Sequence, residues 1–369
     1  FHTLHALNSA RIQKTNFDAL SEFEKAAAFD GPPAGATDPQ SSVVSLWKLL
    51  RSMIPEGGKA VTVEGLVKGA RRHLEAGHAA YMMDVVRKHA QVARLGGETS
   101  NLARVHAFLR VSLKGQGQLD FDTQGSGSVN TTWRQVYYCI RSGYMREALQ
   151  VAASANDPAT RSAGIIFADA LREWVDNDGA VSSSTASALS QHAKRMLAEA
   201  DRGRVHLLVL YAIVARDARV AQDLIAQNPT FFGYIQDFMW FKLALVATPP
   251  PSGGQGSMMA MSPSSAAGSF HIVDLQAYLR QFPSKHYSCE GRDPLMYVSV
   301  LLLSLQFKAA LHYMLNDPAA AAYRSDGVHM GIALEHYSAL EVEGREQELD
   351  ESGGLDLPQA IIQYGCEFA

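Results

Sequence analysis

His2 and His5 stand three residues apart on an opening stretch with helical patterning. That spacing lets two imidazoles share a metal. No third ligand follows at a recognisable spacing and there is no His-Glu-x-x-His, so surface histidines on a terminal helix are the better reading. Gly57–Gly58–Lys59 has part of a phosphate-binding loop. It lacks the earlier glycine, the Ser or Thr after the lysine, and a preceding strand. Ser45-x-x-Lys48 matches a short nucleophile pattern. A helix N-cap at Ser45 and a surface lysine at Lys48 explain it better. Gly-x-Ser-x-Gly, Cys-x-x-Cys and the dinucleotide fingerprint do not occur. No convergent acid, base and nucleophile can be named. The expectation is a protein that is not an enzyme, with no catalytic residue, cofactor or metal.

Between Glu64 and Arg110 eight basic residues (Lys68, Arg71, Arg72, Arg87, Lys88, Arg94, Arg104 and Arg110) face four acids, with His73, His78, His89 and His106 among them. Such a face can meet RNA or lipid headgroups. More often it is the solvated side of amphipathic helices. The chain as a whole carries 33 basic and 37 acidic residues, a net charge of −4, which exerts no general pull toward nucleic acid or anionic membrane. Its three cysteines, Cys139, Cys289 and Cys366, are far apart and odd in number. Reduced thiols fit that better than a disulfide framework. No signal peptide is visible in the opening residues. The most apolar runs, Phe238–Ala247 and Tyr297–Leu305, fall short of the roughly 20 residues that span a bilayer. The chain starts at Phe1 rather than Met, which suggests part of a longer protein.

The elements that carry the aromatic residues repeat a common design. Trp133, Val136, Tyr137 and Ile140 share one face of a helix, Gly143 sits just past its end, and Met145, Ala148, Leu149 and Ala152 share a face of the next. A left-handed residue at Gly143 would close the first helix. Laying this hairpin over Pro294 to Leu315 places Val136 on Val298, Ile140 on Leu302, Met145 on Phe307 and Leu149 on Leu311. A weaker copy lies at Leu207 to Ala226, with Tyr211 in the place of Tyr138. One hairpin cannot bury its apolar face alone, whereas stacked copies can. Tyr137–Tyr138 and Trp240–Phe241 have the residue types of partner anchors. Within a solenoid most such residues are inter-helix core, the reading taken for Trp133, Tyr137 and Trp240, whereas Tyr138 and Phe241 sit partly off the main apolar faces and stay open.

In chain order, residues 1–113 read as the N-terminal part of a helical solenoid. Paired helices at Val63–Leu74 and Tyr81–Ala93 are expected there, joined by a tight turn at Gly77. Val43–Ile54 precedes them and Leu102–Leu113 follows. Residues 30–42 read as a linker and 114–130 as a polar, Gly-rich flexible loop. Residues 131–369 read as the central solenoid, with a low-complexity insertion at 248–271 and an acidic break at 341–354. Asp157–Pro158, Asp293–Pro294 and Asp317–Pro318 each put a capping carboxylate before a proline at a helix start. Helices are expected at Leu189–Ala200, Phe232–Ala247 and Leu357–Phe368. Alternating strand patterns are nearly absent, so the fold class is all-α, an elongated and irregular α-helical solenoid.

Five or more blocks then carry a resemblance. They are TTWRQVYYCIRSGYMREALQVA, IQDFMWFKLALV (Ile235 to Val246), DLQAYLRQF (Asp274 to Phe282) and GRDPLMYVSVLLLSLQFKAALHYM (Gly291 to Met314). DGVHMGIALEHYSAL (Asp326 to Leu340) and IIQYGCEF (Ile361 to Phe368) continue the series. In order and approximate spacing these resemble the nucleoporin-interacting-component family, the ninety-three-kilodalton inner-ring scaffold nucleoporins of the nuclear pore complex. The likeness is clear from about Val129 to Phe368 and looser from Phe1 to Leu113. It implies a solenoid with a fold-back, akin to the ancestral coatomer element, and an architectural adaptor at the nuclear envelope. Implied partners are the large inner-ring solenoid nucleoporins, a membrane-proximal linker nucleoporin, and the channel nucleoporin trimer through an N-terminal region not in this chain. Trp133, Tyr137, Tyr138, Gly143, Asp237, Trp240, Phe241, Asp293, Pro294 and Tyr297 fall in the signature blocks, where a structural role is implied. No partner-binding residue is assigned. The insertion at 248–271 departs from the family pattern. A coat-like or cytosolic helical adaptor away from the pore is the alternative of the same architecture, and an RNA-binding helical protein using residues 64–110 is a third reading.

Overall fold

The computed structural model describes residues 2–30, 42–55, 60–115, 131–155, 166–199, 204–247, 270–342 and 357–368. Gly57–Lys59, Asp157–Pro158, and most of the segments 30–42, 114–130, 248–271 and 341–354 lie outside the described residues. The helices are α1 (His2–Gln13), α2 (Ala19–Asp30), α3 (Val43–Met53), α4 (Val63–Lys88), α5 (Ala90–Ala93) and α6 (Asn101–Gly115). Next come α7 (Thr132–Arg141), α8 (Met145–Ala153), α9 (Phe167–Asp176), α10 (Ser183–Ala198), α11 (Val205–Ala215), α12 (Ala218–Gln227) and α13 (Ile235–Leu245). The last are α14 (Ile272–Leu279), α15 (Ser284–Tyr287), α16 (Pro294–Leu303), α17 (Phe307–Asn316), α18 (Arg324–His336) and α19 (Leu357–Phe368). Among the described residues the nearest thing to a strand is a single parallel bridge between Val246 and Phe270. There the Ala247 amide donates to the Phe270 carbonyl at 2.8 Å. No helix among the described residues is long and apolar enough to cross a membrane.

Two compact units divide the chain. One joins Phe1–His73 to Ile272–Ala369, and the other runs from Leu74 to His271. In the first, α2 packs on α3, α3 on α16, and α18 on α2, so the described N-terminal helices share a core with helices from the far end of the sequence. The Tyr337 hydroxyl accepts the Ala19 amide at 3.1 Å. A ring stack continues the same contact: Phe23 lies 5.2 Å from Trp47 and 5.2 Å from His329. In the second unit α11 is the central element, packed by α7, α10, α12 and α13. Leu207 to Val214 are all buried, as expected of a helix apolar on every side.

The three hairpins form as the spacing predicts, at α7–α8, α16–α17 and α11–α12, and their turns coincide residue for residue. The closing positions are Gly143, Leu305 and Arg216, with φ of 76°, 61° and 51°. The amides of these three donate to Ile140, Leu302 and Ile213 at 3.1, 3.0 and 3.2 Å. The next amides, Tyr144, Gln306 and Asp217, reach back to Cys139, Leu301 and Ala212 at 2.8, 2.8 and 3.2 Å. This is the paired hydrogen-bond pattern of a left-handed helix stop. The same stop closes α1 at Lys14 and α9 at Asp178, but only in the hairpins does a new helix start two residues later.

Two local expectations are corrected. Residues 63–88 are one helix, with no turn at Gly77. Leu66, Ala70, Leu74, Met82 and Val86 are buried at multiples of a four-residue step, so the apolar face runs through the glycine unbroken. A lone helical glycine costs only about 1 kcal/mol, which that packing overrides. At the start of α3 the cap is Ser42, whose hydroxyl accepts the Ser45 amide at 3.2 Å; Ser45 itself is inside the first turn. The Asp–Pro starts at Asp293 and Asp317 hold. Asp293 Oδ1 accepts the Met296 amide at 3.1 Å, and Asp317 Oδ1 accepts the Ala319 amide at 2.8 Å, the latter opening a 3₁₀ turn.

Candidate functional site

Most of the signature residues of the second unit meet around one buried cation. Trp133, Tyr137 and Arg141 lie at four-residue steps on α7, so the face that starts apolar ends in a guanidinium. The Arg141 side chain is only 3% exposed. Its Nε and Nη2 donate to Asp237 Oδ1, on the first turn of α13, at 3.0 and 2.9 Å. Nη1 donates to the Leu74 carbonyl at 2.7 Å. The plane rests over the Trp240 ring, 5.1 Å from its centroid. Trp240 Nε1 in turn donates to Glu75 Oε1 at 3.3 Å. Gly143, the left-handed stop after α7, leaves open the side toward Glu75, where an added Cβ would be 3.6 Å from Oε2. A buried cation needs this many partners, because desolvation otherwise outweighs attraction.

Aromatic rings close the cluster. Tyr137 is edge-on to Trp240 at 5.8 Å and to His206 at 5.2 Å. Tyr138 stacks on His78 at 5.8 Å and meets Phe108 edge-on at 5.1 Å. The Ser142 hydroxyl and His78 Nδ1 are 2.9 Å apart. Burial pushes the His78 and His206 imidazoles down to about 3, helped by the positive charges of Arg141 and Arg134 respectively. Burial raises Tyr137 well above the usual phenol range, and Tyr138 to about 12, with Asp237 adding to both. Burial also lifts the Cys139 thiol to about 12. At neutral pH these histidines, tyrosines and the thiol are therefore all uncharged and far from exchanging protons. The arrangement fixes helices against one another rather than moving protons.

Phe241 and Trp133 face other neighbours of the same unit. Phe241 is buried and stacks on Phe232 at 4.9 Å; Trp133 is edge-on to Phe167 at 5.5 Å. In the first unit Asp293 and Pro294 cap α16, and Tyr297 stacks on Tyr287 at 5.7 Å and meets Tyr313 edge-on at 4.9 Å. Sequence reasoning does not single out Glu75, Arg141, Ser142 or His206. For Arg141 a signal exists, as the third member of the 133, 137, 141 series. The basic residues of the 64–110 segment are partly engaged within helices: Lys68 with Glu64 and Lys88 with Asp84, each at 2.7 Å. All three cysteines are free thiols, Cys139 buried and the other two exposed.

Comparison with known proteins agrees with the architecture. The family model described as Nup93/Nic96 matches residues 41–369. Nuclear pore complex protein NUP93B of Arabidopsis thaliana is 35% identical over 379 residues, covering 98% of this chain and 42% of that protein. Nuclear pore complex protein Nup93 of Xenopus laevis is 24% identical over 272 residues, covering 73% of this chain and 30% of that protein. The chain thus spans less than half the length of these curated relatives. The crystal structure of Chaetomium thermophilum Nic96 SOL superposes with a TM-score of 0.64 at 19% identity, over 92% of this chain and 48% of that one. The fold is therefore an all-α helical solenoid.

Proposed function

The chain belongs to the Nup93/Nic96 family, and from that membership we propose that it is the solenoid part of a structural scaffold nucleoporin of the nuclear pore inner ring. It works as an architectural adaptor that supports pore assembly and nucleocytoplasmic transport, and not as an enzyme. The observation that carries this reading is the family match along nearly the whole chain. The buried Arg141 cluster fits it, since every titratable ring there is locked neutral among packed helices. Its partners are other nucleoporins: the large inner-ring solenoids, a membrane-proximal linker and, through a region outside these residues, the channel trimer. A stack of helices presents grooves at fixed separations into which short segments of such partners dock.

The test is the location of the complete protein, tagged fluorescently at its own locus. A punctate nuclear rim is expected. Cytoplasmic puncta without a rim would replace the proposal with a coat-like adaptor of the same architecture.

A further inference from the structure

Lys242 lies on α13 and is only 8% exposed. Its Nζ is 5.6 Å from the centre of the Phe238 ring, one turn earlier on the same helix. It is also 5.1 Å from the centre of the Phe270 ring. Both distances are those of a cation held by an aromatic face. Phe270 is itself buried and comes just after the low-complexity segment. Its backbone bridges Val246, and its carbonyl accepts the Ala247 amide at 2.8 Å. Side chain and backbone thus both fix Phe270 to the end of α13. All of these residues belong to the second unit, and the chain enters the first unit at Ile272, two residues further on.

The bridge is parallel. The backbone runs the same way at Val246 and at Phe270, so the chain that leaves Ala247 has to double back before it arrives at Phe270. Connections across a parallel pair take about a dozen residues or more. Residues 248–269 exceed that minimum, and their Gly, Pro, Ser and Met content carries no apolar periodicity. A single bridge is a weak anchor, whereas a desolvated amine against two rings is a strong one. We propose that Phe238, Lys242 and Phe270 form a clasp that takes residues 248–269 out of the path between the two units, and that the fold draws on this segment for its length and not for its sequence. With the clasp formed, His271 alone separates Phe270 from the first unit. With it released, everything from Thr248 onward joins that connection. The clasp is independent of the scaffold reading.

The test is acetic anhydride labelling of the 369-residue chain, read for each lysine by peptide mass spectrometry. Burial lowers the Lys242 amine from its ordinary value, so it would react quickly if the reagent reached it, and slow labelling reports the clasp. Lys285 is exposed and serves as the internal reference. In the intact chain Lys242 should label about tenfold more slowly than Lys285, or slower still. Phe270→Leu keeps an apolar side chain and removes the ring, and should speed Lys242 labelling about fivefold or more. Scrambling residues 248–269 at constant length should leave Lys242 protected. Cutting the segment to about six residues, half of what a parallel connection needs, should expose it. The last two variants alter no described residue, so they carry the test if Phe270→Leu fails to fold. Cys139, buried in the same unit, should stay unreactive toward a thiol reagent in the scrambled and shortened chains, which separates release of the clasp from unfolding. Fast labelling of Lys242 in the intact chain, no change in a folded Phe270→Leu, exposure on scrambling, or full protection in the shortened chain would each overturn the proposal. So would joint exposure of Lys242 and Cys139 in the shortened chain, since the segment would then support the whole unit and not the clasp.

Discussion

The Arg141 side chain is almost completely buried, so its counter-ion matters more than a surface pair would. Asp237→Asn keeps the shape and leaves the guanidinium to the Leu74 carbonyl and the Trp240 face. The expected loss is about 3 kcal/mol, in the range for breaking a buried pair from one side. Replacing both partners, as Arg141→Met with Asp237→Asn, should restore part of it, and a double-mutant cycle in urea measures the coupling. A loss within the roughly 0–1 kcal/mol of surface pairs would show the pair to be solvent-screened. Much of this site is legible in the residues. Four-residue spacing assigns Trp133 and Tyr137 to the core, and the expectation that aromatic residues of a stacked solenoid lie between helices assigns Trp240; all three are buried. Phe241 stays open because α13 is apolar almost all round, and a helix with no polar face gives spacing nothing to discriminate. Glu75, His78 and His206 are hidden for another reason. A polar residue reads as surface unless its partners, distant in sequence, are known.

Two glycines carry the element scale. At Gly143 the stop after α7 demands a left-handed residue, and an alanine there would meet only ordinary van der Waals distances around its Cβ. Gly143→Ala therefore isolates backbone strain, and about 1 kcal/mol of destabilisation is expected from denaturant midpoints. Leu305 and Arg216 already tolerate the same conformation at the equivalent turns, so folding should survive. Gly69 is different. A Cβ there would collide with the Met53 Cα and the Ser52 carbonyl oxygen, both backbone atoms of α3. Gly69→Ala must push α3 and α4 apart, and a loss of about 3 kcal/mol is expected, the upper end of the range for overpacking because both colliding atoms are backbone. Equal effects at the two sites would contradict this distinction. The hairpins are legible because a short turn keeps both apolar faces in register. The overlay that puts Val136 on Val298 therefore also lands Gly143 on the left-handed Leu305. Gly77 misleads because the residue type that ends helices also occurs inside them. Only the continued burial of Met82 and Val86 tells the cases apart.

At the scale of the whole molecule, the same burial that silences the rings makes folding sensitive to acid. His78 and His206 titrate near 3 in the folded chain and near their ordinary 6.5 once unfolded. Between those values the unfolded chain binds protons that the folded chain refuses, so stability rises with pH across that window. It is fully present above 6.5 and lost as pH falls, at about 1.4 kcal/mol per group for each pH unit well below 6.5. His73 and His336 are lowered as well, by burial first and then by Lys48 and Arg11, and act in the same direction. Calorimetry at pH 7.5 and 5.0 brackets the effect and avoids the region near the isoelectric point of about 6.4, where association would interfere. A lower unfolding temperature is expected at pH 5.0. His206→Phe should shrink the difference, because phenylalanine keeps the ring contacts to Tyr137, Tyr138 and Phe231 while removing one proton site. If the wild-type transition were flat between these pH values, the two imidazoles would have to be solvated in the folded chain. The dry aromatic cluster around Arg141 would then be wrong with them, because His78 and His206 pack on the tyrosines that close it.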